Sequence, residues 1–228
     1  MCGRIDRHTS AEDIARRFGA DLGRDAADAG PGWNLAPGRK ILALVAGRPR
    51  PQLAGLVWGF VPRWARDAEG VRPINARADT VFARPMFREA IRHRRCLIPV
   101  DGFYEWKREG GRKLPYYFRI AGEGTFTLGG IWESWSERGA AGEGCTLHTC
   151  AILTTAANEA MAPVHDRMPL IVAPDDRAPW LSGELRGERG IARLLLPCEA
   201  AAMECWRVGP RVNNASSEGE DLIRPVPE

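Results

Sequence analysis

The sequence is poor in several things that would have narrowed its function quickly. No apolar stretch approaches the ~18 residues a membrane-spanning helix needs, and the opening Met1-Cys2-Gly3-Arg4-Ile5-Asp6 lacks the apolar core of a secretory signal, so a cytoplasmic protein is expected. There is no C-x-x-C pair, and Cys145/Cys150 and Cys198/Cys205 have no His pair at zinc spacing. No metal is therefore expected. A Gly-rich loop of the P-loop or dinucleotide type is also missing, which argues against a nucleotide cofactor. The six cysteines in 228 residues fit free thiols in a reducing compartment better than a disulfide framework. Lysine is scarce too, at three residues against 29 Arg. That bias is what a GC-rich genome produces and is weak evidence for phosphate recognition.

What is present is a globular composition, 44% hydrophobic and 27% charged, suited to one domain over residues 1–228. The net charge of +3 hides an asymmetry. Residues 1–119 carry 23 Lys and Arg against 13 Asp and Glu, whereas residues 120–228 carry 9 against 16. A polyanion-binding face in the first half would explain this, and so would an uneven solvated surface.

Ser10 and Asp13 predict a capped helix over 11–19, stopped by Gly19. A basic amphipathic helix is predicted over 80–92, with Arg84, Arg88, Arg92 and Arg95 interspersed. Strands are expected at Ile41–Ala46, Leu53–Trp58, Cys96–Val100, Phe103–Lys107, Tyr116–Ile120, Thr125–Trp132 and Leu147–Thr154, with shorter ones at Met168–Val172 and Cys205–Val208. Glu137–Gly144 reads as a loop and Ser216–Asp221 as a surface turn. Many short strands with few helices give an α+β class: a curled, barrel-like, mainly antiparallel β core with peripheral helices.

Four constellations carry chemistry. Removal of Met1 would leave Cys2 with a free α-amine beside its thiol, and about a tenth of such an amine is unprotonated at neutral pH. Against an aldehyde, amine and thiol together close a five-membered thiazolidine; against a peptide bond, they resemble an N-terminal nucleophile. Asp101-Gly102-Phe103-Tyr104-Glu105-Trp106 reads as a strand with Glu105 among aromatic rings, where an anion is costly to bury and a general acid/base is favoured. His165-Asp166-Arg167-Met168-Pro169 puts a proton carrier and a phosphate clamp where a loop enters a strand. Asn75-Ala76-Arg77, preceded by Trp58-Gly59-Phe60-Val61-Pro62 and Trp64, offers a carboxamide, a guanidinium and stacking platforms for unpaired bases. Taken singly, each has a plainer reading: an incidental Cys2, an edge-strand Glu105 paired with arginine, a surface-loop His165, and core tryptophans, Trp58 above all.

With Met1-Cys2-Gly3-Arg4 and Asn34-Leu35-Ala36-Pro37, these blocks stand in an order that resembles the SOS-response-associated peptidase (SRAP) family, whose members crosslink to abasic sites in single-stranded DNA. The resemblance runs to Val212-Asn213-Asn214 and Leu222-Ile223. It implies a single domain in which Cys2, after Met1 removal, forms a thiazolidine with the ring-opened sugar. Asn75 would orient the amine, Glu105 would act as general acid/base, and His165 would assist proton transfer. Arg4, Arg77 and Arg167 would grip phosphates, with Asn34, Pro37 and Trp64 along the DNA path. The implied partner is single-stranded DNA carrying an abasic site, alone or at a junction with duplex, bound by a monomer without a cofactor. The implied activity is single-turnover self-crosslinking with reversal or lyase-like chemistry. The alternatives are a cysteine peptidase using Cys2 and a non-covalent single-strand binder. One departure stands out: many relatives carry Glu where this chain has Asp79, which puts a local salt bridge in doubt.

Overall fold

Runs that are apolar at every position need burial on both faces, and β4 (below) shows how that is met. In the computed structural model, which describes residues 2–137, 146–185 and 187–227, the chain begins with β1 (Ile5–Arg7), α1 (Ala11–Phe18), β2 (Asp21–Leu22) and β3 (Gly32–Leu35). There follow β4 (Lys40–Val45), β5 (Gln52–Trp58), β6 (Asn75–Arg77), α2 (Arg88–His93) and β7 (Arg95–Val100). The long strands come next: β8 (Gly102–Glu109), β9 (Arg112–Ile120), β10 (Phe126–Ser136) and β11 (Thr146–Ala156). The remainder is β12 (Arg167–Pro169), α3 (Arg177–Leu181), α4 (Glu188–Ala192) and β13 (Met203–Arg207).

Strands β11, β10, β7, β4 and β5 pair in that order, and a parallel pairing of β5 with β11 (Val57 with Thr149, Trp58 with Cys150) closes them into a five-stranded barrel. Closure leaves these strands without an open side edge. On β4, Ile41, Ala43 and Val45 join Trp58 and Ile98 in one apolar cluster. Leu42 and Leu44 join the other cluster, with Ile14, Ala90, Trp180 and Ile191 from the four helices. A second sheet, in the order β13-β9-β8-β1-β3, is antiparallel throughout. This is the α+β, barrel-centred class that the sequence implies.

The Ser10 hydroxyl caps α1 by accepting from the Asp13 backbone N–H, and Gly19 ends it in the left-handed conformation at φ 59°. The helix predicted over 80–92 is shorter, spanning Arg88–His93. Pro85 explains the difference: its missing N–H and its ring leave residues 80–87 in turns. Arg95 is not part of a basic face either. It is buried and donates to the Trp180, Ile91 and Arg92 carbonyls. The strand expected over Met168–Val172 is instead Arg167–Pro169 plus one isolated bridge at Ile171. From residue 138 onward, the loop expected over 137–144 lies outside the described residues. Among the described residues, no helix is long and apolar enough to cross a membrane.

Two features of this scaffold place the chain's start. Strand β1 pairs with β8 through Ile5 and Phe103, and the Tyr104 N–H donates to the Arg4 carbonyl at 3.0 Å. Upstream of Arg4 the chain leaves that ladder and enters the apolar cluster between the sheets, where Cys2 is fully buried with Ile5, Trp58, Phe103 and Ile152. Meanwhile β6 runs parallel to β11, with Asn75 opposite Ile152, and so brings Asn75 to the same place.

Candidate active site

The Asn75 Nδ2 donates to the Cys2 carbonyl oxygen at 2.8 Å, fixing residue 2 across 73 positions of sequence. Its buried Oδ1 has no hydrogen-bond partner among the described residues. Burial pushes the Cys2 thiol far above its ordinary value, and the Glu105 charge adds to the rise. The backbone brings the two segments together, since the N–H of Tyr104, next to Glu105, donates to the carbonyl of Arg4, two residues after Cys2. Glu105 is itself 3% exposed and borders a cleft of about 500 Å³, whose other lining residues are Arg4, Trp106, Arg108, Lys113, His165 and Asn213.

His165 stands just before β12. Its Nδ1 accepts the Arg167 backbone N–H at 3.0 Å and lies 2.8 Å from Asp166 Oδ1. The two contacts ask for different roles of Nδ1, acceptor from the Arg167 N–H or donor to Asp166, and Asp166 is largely exposed.

Behind His165, Arg167 donates to the Thr154 carbonyl at 2.6 Å and to Asp79 at 3.3 Å. Arg77, on β6, grips the same Asp79 carboxylate through Nε at 3.2 Å and Nη2 at 2.7 Å. The salt bridge put in doubt by the shorter Asp79 side chain is therefore made, and made to two guanidinium groups. The Arg77 hydrogen bond is the main cause of the lowered Asp79 pKa.

Residues 1–215 match the family described as SOS response associated peptidase (SRAP). The chain belongs to the SRAP family. It is 36% identical to the abasic site processing protein YoaM of Bacillus subtilis (strain 168), over 98% of this chain and 97% of that protein. To the abasic site processing protein YedK of Escherichia coli (strain K12) it is 32% identical, over 99% and 100%. An X-ray structure of a Bacteroides thetaiotaomicron protein superposes with a TM-score of 0.90 at 26% identity, covering 99% of this chain and 100% of that one.

Within this SRAP chain the residues expected along a DNA path divide. Trp64 is 54% exposed and Pro37 lies in an exposed turn, so both are open to a ligand. Asn34 is not. It is fully buried, its Oδ1 accepts from Arg4 Nη1 at 2.7 Å, and its Nδ2 donates to the Asn214 and Ser217 carbonyls at 2.9 and 3.1 Å. Arg4 also donates to the Val212 carbonyl at 2.8 Å and lies over the Trp106 ring, whose Nε1 donates to Asn213. Asn34 thus holds Arg4 and the C-terminal segment together, and its side chain is buried rather than open at the surface.

Asn34→Ala is accordingly expected to lower the unfolding free energy by about 2 kcal/mol, since buried carbonyls and a guanidinium lose their partner. Urea denaturation checks this. Wild-type stability combined with weakened DNA binding would instead restore the contact role. The SRAP cleft also contains residues that sequence reasoning passed over: Arg108, Lys113 and Asn213. The first two had a signal, a pair of cations flanking a Gly-Gly turn.

Proposed function

We propose that this protein captures abasic sites in single-stranded DNA by forming a thiazolidine with Cys2 once Met1 has been removed. Its SRAP membership and the abasic site processing named for YoaM and YedK support the lesion as substrate. The observation that carries the chemistry is the fixed carbonyl of Cys2: the Asn75 hydrogen bond pins the backbone that would bear the amine, and Glu105, whose charge acts on the Cys2 thiol, lines a cleft together with His165.

The steps follow from this arrangement. The Cys2 amine adds to the aldehyde carbon of the ring-opened sugar, and the carbinolamine loses one water to give an imine. The thiol sulfur then adds to the imine carbon while the nitrogen takes up a proton, closing the ring. In this scheme Glu105 accepts the thiol proton and returns it to nitrogen, and His165 serves the sugar oxygens during ring opening. Amine attack comes first, because the thiol closes the ring only on the carbon of an imine already formed. Burial and the Glu105 charge raise the Cys2 thiol, which disfavours the ready thiolate a peptidase would use.

The decisive experiment is to incubate purified protein with abasic single-stranded DNA, digest the adduct, and locate the modified residue by mass spectrometry. The sugar remnant is expected on a peptide beginning at Cys2, with the mass of an aldehyde adduct less one water. A remnant on a lysine, or no adduct, overturns the proposal.

A further inference from the structure

The cations that line the cleft with Glu105 and His165 are Arg4, Arg108 and Lys113. Arg77 and Arg167 lie outside that lining, tied to it through the Arg167 N–H that donates to His165, and they share the Asp79 carboxylate, which offsets part of their charge. Strands β8 and β9 form a hairpin in which Arg108 lies directly opposite Lys113, so both side chains project from one face. Gly110 and Gly111 make its two-residue turn with φ of 54° and 76°, the positive values that a tight hairpin of this kind requires. Lys107 on the same hairpin is paired with Glu109 at 2.7 Å. Arg108 and Lys113 are exposed, line the cleft, and make no ion pair among the described residues. Arg4, the other cation of the cleft, is already committed to Asn34 and Val212.

From this placement we infer that Arg108 and Lys113 form a second phosphate site, which holds the DNA backbone on one side of the abasic sugar while Arg77 and Arg167 hold it on the other. The inference rests on the proposed capture of abasic DNA. A sugar within a strand has a phosphate on each side, and a nucleotide without its base offers no ring to stack, so backbone contacts on both flanks are needed to seat its C1′ over Cys2. The Arg108–Lys113 pair supplies two adjacent cations to one phosphate, held at a fixed spacing by the strand register.

The test compares the parent protein with an Arg108→Ala/Lys113→Ala variant on three abasic oligonucleotides: one with nucleotides on both sides of the lesion, one with them only 5′, and one with them only 3′. The crosslinking rate at low salt is expected to fall about tenfold on the two-sided strand and on one of the one-sided strands, with no change on the other, and the salt slope of binding should drop by about 0.7. Equal losses on both one-sided strands, or none on either, overturn the second site. An Arg108→Lys/Lys113→Arg variant should restore the rate if charge is what matters; no restoration counts against the site.

The same substitutions in a Cys2→Ala background, titrated with a strand holding a tetrahydrofuran lesion analogue, report non-covalent affinity alone. Failure of the parent protein to form any adduct would overturn the covalent proposal, whereas the second site stands or falls on that titration. Both residues are exposed, so thermal melting is expected to be unchanged; a lowered melting point that tracked the loss would make the effect structural and overturn the inference.

Discussion

Cys2→Ala is expected to abolish the heat-stable adduct, lowering its yield by more than about 100-fold, because the intramolecular thiol that traps the imine is gone. The α-amine survives in this variant, since Ala also permits Met1 removal. An imine should therefore still form, and borohydride should trap it. A protein that keeps one extra residue before Cys2 should give no heat-stable adduct, because the Cys2 nitrogen has become an amide and the remaining α-amine no longer sits on the carbon next to the thiol. The three chains together separate amine-first capture from a thiol-first reaction, which would spare the extended protein. Denaturing gels with and without borohydride provide the measurement. A heat-stable adduct undiminished in Cys2→Ala would end the account.

Glu105→Gln is expected to slow adduct formation by about 10²–10³-fold, the range for loss of a positioned general acid/base. The substitution is nearly isosteric, and Glu105 is not placed to meet phosphates, so non-covalent affinity measured in the Cys2→Ala background should stay within about twofold. A second readout follows from the sign of the charge effect. The Glu105 carboxylate is one of the two causes raising the Cys2 thiol. Removing it favours the thiolate, so alkylation of Cys2 should not slow even as crosslinking does. A variant in which affinity, alkylation and crosslinking fall together would mark Glu105 as a structural residue. The hairpin pair Arg108 and Lys113 should behave in the opposite sense, changing affinity and salt dependence while leaving alkylation alone.

Local chemistry made much of this legible in the sequence. The hydroxyl of Ser10, the left-handed Gly19 and the alternation along β4 are short-range signals, and the elements they imply are where they should be. Asn75, Glu105 and His165 come from separate parts of the chain; Asn75 donates to the Cys2 carbonyl, and Glu105 and His165 line one cleft. Hidden features depended on distant partners. Closure of the barrel needs β5 to run parallel to β11, some 90 positions away, and no periodicity reports that. The fate of Asn34 is decided by carbonyls that lie 178 to 183 positions further on. The helix expected over 80–92 falls short of its apolar spacing for a local reason: Pro85 controls the backbone over 80–87. The cations of Arg108 and Lys113 flank a Gly-Gly turn in the sequence, but nothing in a strand's sequence tells which of its faces will border a cleft.

The Arg4–Val212 hydrogen bond spans 208 positions. At the usual pace of translation, 5–20 residues per second, the far end of that bond emerges about 10–40 s after the near end. Throughout that interval the Arg4 guanidinium and the Asn34 carboxamide lack the carbonyls of Val212, Asn214 and Ser217 that satisfy them in the finished fold. The last stretch of chain to be made therefore completes the hydrogen bonding of one of the first, and neither end of the molecule settles without the other.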